Sequence, residues 1–154
     1  MLGWVERIAK YCADTDGLPL IAGRILGWLT VCDPPEQSAA EIAEAIGASR
    51  ASLTTNLRLL SSVGFLSQLT KPGNRTVYYQ VDDDAWEKVV QRQVESLTSL
   101  GEIMRDGMEL VGGSQKRGAR IRAAHEVFGW LDKVFANAPP LPSAGRANRT
   151  QKEK

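Results

Sequence analysis

Histidine and cysteine are nearly missing from this chain of 154 residues, which has one of the first and two of the second. Hydrolytic or transfer chemistry needs a base beside a nucleophile, and His125 stands alone in a helical stretch with no Ser or Cys motif around it. Cys12 and Cys32 lack CxxC spacing and have only His125 to join them, which argues against a zinc site and for a reducing cytoplasm. Gly112-Gly113-Ser114 is not followed by the lysine and serine of a phosphate-binding loop. The expectation is therefore no enzyme, no cofactor and no metal.

Long apolar runs are scarce too. The stretch 18–32 is several residues short of a membrane span and contains Arg24, and Glu6, Asp14 and Asp16 stand where a secretory leader would be basic and then greasy. We expect neither membrane insertion nor secretion. The length suits one domain, and the 43% hydrophobic content suits a folded protein.

A third absence is local. Between Glu44 and Asp82 no acidic residue occurs, while Arg50, Arg58, Lys71 and Arg75 do. A net charge of +1 argues against non-specific polyanion binding, but this cluster makes one basic face. It coincides with two short helices around a glycine. Ala39, Ile42, Ala43 and Ile46 share a face, Ser38 and Glu41 have capping-box spacing, and Gly47 suits a left-handed helix end. Ser49 can cap a second helix whose Leu53, Leu57 and Leu60 face the core. The outward set is then Ser49, Arg50, Ser52, Thr54, Thr55, Asn56 and Arg58. Short hydrogen-bonding side chains and guanidinium forks suit base edges and phosphates in a major groove.

After Gly64, residues 65–69 and 76–81 read as two strands joined by the turn Lys71-Pro72-Gly73-Asn74. The expected fold class is mainly α with a small β-hairpin wing, a winged helix-turn-helix plus a helical dimerisation region. Lys71, Asn74 and Arg75 are placed at the wing tip, within reach of a DNA backbone or minor groove.

The GRILGWL run, the S-x-x-E-I-A-E-x-I-G-x-S-R core, the L-x-x-x-G-F-L exit and PGNRTVYY together resemble the GbsR branch of the MarR-type winged-helix transcriptional regulators, over residues 17–81. The resemblance implies a homodimeric DNA-binding regulator joined through its N-terminal and C-terminal helices. The acidic residue that the family carries after the recognition helix's leucine pair is Ser61 or Ser62 here.

Two helices, 2–13 and 18–32, are expected before the helix-turn-helix. In the second, Ile21, Ile25, Trp28, Leu29 and Cys32 form the supporting stripe, and Pro34-Pro35 stops it. The first helix's stripe, Leu2, Val5, Ile8, Ala9 and Cys12, is expected to find its partner in the C-terminal third. There a helix after Asp82-Asp83-Asp84 runs to Val111 with two apolar faces, and another covers 117–136. A two-fold dimer buries these stripes, with Leu2, Val5, Ile8, Leu97, Met104, Val111, Phe128, Leu131 and Phe135 at its interface. Gly101 and Gly107 read as a close helix crossing.

The organisation expected is an N-terminal dimerisation helix (1–16), a winged helix-turn-helix (17–82), a helical dimerisation region (83–136) and a disordered basic tail (137–154). The function expected is sequence-specific binding of double-stranded DNA at an inverted repeat, as a repressor. The rival is a winged-helix module that docks on another protein. A small-molecule effector has room but no signature. Core packing is the stronger reading of the four tryptophans, against an aromatic box for a quaternary ammonium, and inert burial is the stronger reading of the cysteines, against a thiol sensor.

Overall fold

Local capping chemistry sets where the helices begin and end. In the computed structural model, which describes residues 1–111 and 115–142, Ser38 accepts from the Glu41 N–H at 3.4 Å and the Glu41 carboxylate accepts from the Ser38 N–H at 2.7 Å. That reciprocal box starts α3 (Ala39–Ile46), and Gly47, at φ 64°, ends it. Ser49 then starts α4 (Arg50–Ser62), accepting from the Ser52 N–H at 3.3 Å. Leu53, Leu57 and Leu60 are buried, as their spacing requires.

The chain divides into two compact units, Met1–Trp86 and the part from Glu87 onward. In the first, α1 (Leu2–Asp16) packs along α2 (Leu20–Val31), which supports α3 and α4. Helix α2 is buried on most of its circumference, at Ala22, Gly23, Ile25, Leu26, Gly27 and Leu29. Trp28 is half-buried and donates its indole N–H to Gln37 Oε1 at 3.2 Å. Helix α1 outruns its expected end at residue 13, because the next left-handed stop is Gly17, at φ 65°.

The partner of the α1 stripe is therefore α2. A Cβ built on Gly23 would lie 2.6 Å from the Ala9 Cα, so the two backbones meet where only glycine fits. Val5, Ala9 and Cys12 are buried within this one unit. Val5 is 1% exposed and has no surface left for a second chain, which removes it from the expected dimer face. Leu2 remains exposed and Ile8 half-buried.

The expected hairpin is a three-stranded antiparallel sheet of order β1-β3-β2, made of β1 (Gln37–Ser38), β2 (Leu66–Thr70) and β3 (Val77–Val81). Gln37 pairs with Tyr79 and Ser38 with Tyr78. Leu66 pairs with Val81 and Thr70 with Val77. Phe65 anchors the base of the wing, buried, with its carbonyl accepting from the Asp82 N–H at 2.9 Å.

Helix α5 (Ala85–Val111) leaves the first unit and forms the second with α6 (Gln115–Ala136). A Cβ on Gly101 would meet the Phe128 Cβ at 3.4 Å, and one on Gly107 would strike Ile121 Cδ1, so both glycines serve a close approach of α5 and α6. Leu97, Leu100, Ile103, Leu110, Val127 and Trp130 stay exposed. Met104, Val111, Phe128, Leu131 and Phe135 are half-buried.

The segment expected to be disordered from Asn137 begins in order. Asn137 Nδ2 donates to the Lys133 carbonyl at 2.7 Å, and Pro139, Pro140 and Leu141 line an apolar cavity of about 500 Å³ with Val90, Val94 and Phe135. The expected basic end, with Arg146, Arg149, Lys152 and Lys154, lies outside the described residues. Among the described residues no helix is long and apolar enough to cross a membrane, and no group of three His, Cys, Asp or Glu side chains could hold a metal.

Candidate nucleic-acid interface

Helix α4 turns Leu53, Leu57 and Leu60 inward, which leaves Arg50, Ala51, Thr54, Thr55 and Arg58 exposed on its outer side. Ser49 is exposed but its hydroxyl oxygen serves as the helix cap, and Ser52 is half-buried. Thr54 donates to the Arg50 carbonyl at 2.9 Å and Thr55 to that of Ala51 at 3.2 Å. Their protons are thereby engaged while the outward lone pairs stay open, so toward a ligand these hydroxyls act as acceptors. Such acceptors match the exocyclic amino groups of adenine and cytosine, and the exposed Ala51 methyl matches the thymine methyl. Ala51 is absent from a reading that looks only for polar side chains. Its i, i+3, i+4, i+7 spacing with Thr54, Thr55 and Arg58 is the signal that finds it.

Asn56 is a correction. It is 7% exposed, its carboxamide donates to the Ser52 carbonyl at 2.8 Å, and its Oδ1 is buried. At 100° per residue it lies about 60° from Leu53 on the helix circumference, on the core side, and burial follows that angle despite the polarity. It cannot reach a base edge from there.

The wing carries its three expected residues at the exposed β2–β3 turn, where Gly73 adopts φ 76° and the Asn74 N–H donates to the Lys71 carbonyl at 3.0 Å. Asn74 is engaged internally: Oδ1 accepts from the Thr76 N–H at 2.9 Å and Nδ2 donates to the Tyr78 hydroxyl at 3.1 Å. Lys71 is engaged as well. Its ammonium lies 3.0 Å from Glu36 Oε1 and 4.4 Å from the Tyr78 ring centre. The stretch that is acid-free in sequence thus acquires an acid from outside itself. Glu36 precedes β1, and no local pattern announces that pairing; the register of Gln37 with Tyr79 creates it.

The Lys71 hydrogen bond lowers the Glu36 carboxyl below its ordinary range, and Glu36 raises Lys71 in return. The bonds from Ser38 lower Glu41 likewise. Arg50, Arg58 and Arg75 form no ion pair among the described residues and remain exposed. Two free guanidinium groups and open hydroxyl acceptors on the acid-free outer side of α4, with a third guanidinium at the wing, can bind phosphates and read bases. The thiols take no part: burial raises both Cys12 and Cys32, which keeps them protonated. Arg24, the cation nearest in sequence to Cys32, pairs with Glu6 at 2.7 Å.

Comparison with known proteins gives the family. A family model described as MmpR5-like MarR family transcriptional regulator matches residues 84–137. The chain is 30% identical over 139 residues to the HTH-type transcriptional regulator MmpR5 of Mycobacterium tuberculosis, covering 90% of this chain and 84% of that one. A crystal structure of a transcriptional regulator superposes with a TM-score of 0.60 at 28% identity, over 96% of this chain and 97% of the other.

Proposed function

The chain belongs to the MarR family of winged helix-turn-helix, DNA-binding transcriptional regulators and is not an enzyme, and from that premise we propose that it works as a homodimeric repressor in the cytoplasm, on an inverted-repeat operator. The family matches leave the GbsR branch unspecified. The observation that carries the proposal is the outer side of α4, where Arg50 and Arg58 are exposed without an acid partner beside the open acceptors of Thr54 and Thr55. A protein-docking face needs exposed aromatic or leucine anchors, and this side has none.

Dimerisation is supported by the second unit, whose exposed Leu97, Leu100, Ile103, Val127 and Trp130 exceed what a solitary helix pair leaves to water. Leu2 and Ile8 of α1 remain candidates for the same interface. Two copies of α4 related by a two-fold axis enter successive major grooves about 34–36 Å apart. Repression follows from occupancy, because a dimer seated across a promoter excludes polymerase. Any effector acts by changing the separation of the two α4 helices.

The test uses a duplex recovered by selection from random sequences. Arg58→Ala should weaken binding by about 5-fold to 150-fold, the range of about 1–3 kcal/mol for a specific arginine contact, with the dimer mass unchanged. Binding equal to the parent would place the recognition surface elsewhere.

A further inference from the structure

Glu36 occupies the one wing lysine. Its Oε1 is 3.0 Å from the Lys71 ammonium, the distance of a charge-assisted hydrogen bond to an anionic oxygen. Tyr78 holds the same ammonium from the ring side at 4.4 Å, and Asn74 steadies the Tyr78 hydroxyl at 3.1 Å. The sheet supplies the acid, since β1 pairs Gln37 with Tyr79 and Ser38 with Tyr78 and so carries Glu36 to the root of the wing turn. Neither member is sequestered: the Lys71 side chain is 43% exposed and that of Glu36 26%. An exposed pair of this kind exchanges partners readily when a stronger anion arrives.

We infer that Glu36 is a built-in competitor for the DNA backbone, occupying the wing lysine in the free protein so that Lys71 reaches a phosphate only by leaving Glu36. This rests on the DNA-binding function proposed above, with the wing lying along the backbone beside α4. Glu36 touches no base and sets affinity through Lys71; it is a positioning residue. Its consequence is a lowered attraction to DNA of any sequence, while the arginines of α4, which have no such competitor, keep their hold on the operator. Specificity rises because the non-specific background falls.

The probe is a random-sequence 24-base-pair duplex, titrated with purified full-length protein across a salt series. Glu36→Gln keeps shape and removes the charge. Freeing Lys71 should steepen the log–log salt slope by about 0.9 for each subunit engaged and tighten binding at 0.1 M salt by up to about eightfold per subunit, taking the lines to meet near 1 M. In a Lys71→Gln background the same change should give about twofold or less, since only the screened field of the acid remains. Equal gains in both backgrounds would show that Glu36 repels DNA directly, and a loss with Glu36→Gln would show that the pair is a strut of the bound state; either result overturns the inference. Arg58→Ala, run alongside, separates the two failures. If it loses binding while Glu36→Gln changes nothing, the DNA face stands and the competitor falls. If it too binds like the parent, the face itself is wrong and the inference falls with it.

Discussion

Gly23→Ala is expected to destabilise the first unit by about 2 kcal/mol. The added Cβ would sit 2.6 Å from the Ala9 Cα, 3.0 Å from its carbonyl oxygen and 3.2 Å from its carbonyl carbon. Carbon atoms rest at about 3.5–4.0 Å, so α1 must retreat by about 1 Å along a stretch where Val5, Ala9 and Cys12 are packed. Overpacking of this kind costs about 1–3 kcal/mol, and the upper end applies because the obstacle is backbone and cannot rotate away. Alanine returns about 1 kcal/mol through its better helix propensity. Gly27 is the internal control: its Cβ would meet the Val5 Cα and Cγ1 at 3.4 Å, close to ordinary contact, so Gly27→Ala should be neutral or stabilising by up to about 1 kcal/mol. Urea melts at 25 °C read both, with the Gly23→Ala midpoint falling by about 1 M. A Gly23→Ala protein as stable as the parent and indistinguishable from Gly27→Ala would refute the seating of α1 on α2.

Other variants separate folding from recognition. Asn56→Ala should lower stability by about 1–2 kcal/mol through its lost buried hydrogen bond, with the selected operator sequence unchanged; altered base preference at one position would return Asn56 to the DNA face. Arg75→Ala should make the salt slope shallower by about one unit per subunit with little change in sequence preference, measured by titration across a salt series. Ser38→Ala should lower stability by about 1 kcal/mol at pH 7. Because the folded-state Glu41 carboxyl is depressed, its share of the capping box is present above the ordinary carboxylate value and lost as pH falls through the depressed one, so the parent and Ser38→Ala melts should converge in acid. Cys12, 1% exposed, should resist iodoacetamide in the native protein while the half-buried Cys32 reacts first, as mass spectrometry of timed samples would read.

What was legible in the sequence is what short-range chemistry decides. Ser38, Glu41 and Gly47 write the start and stop of α3 within ten residues, and Leu53, Leu57 and Leu60 orient α4 by spacing alone. Arg50, Thr54, Thr55 and Arg58 follow from that orientation. Asn56 shows the limit of residue type as evidence, since a carboxamide can satisfy its donor on the helix's own Ser52 carbonyl and sit inside. The long-range pairings were not legible. Gly23 against Ala9 joins helices that also carried an equally apolar alternative partner, and β1 is two residues that look like loop until Tyr78 and Tyr79 pair with them. Glu36 reaches Lys71 only through that pairing, which is why a stretch acid-free in sequence is not acid-free in space.

Whether two copies of α4 read one symmetric site is decided by the sequences that the purified protein recovers from a pool of random duplexes. A two-fold dimer should recover an inverted repeat with half-site centres about 10–10.5 base pairs apart. An unenriched pool, or a single asymmetric site bound by one chain, would contradict it.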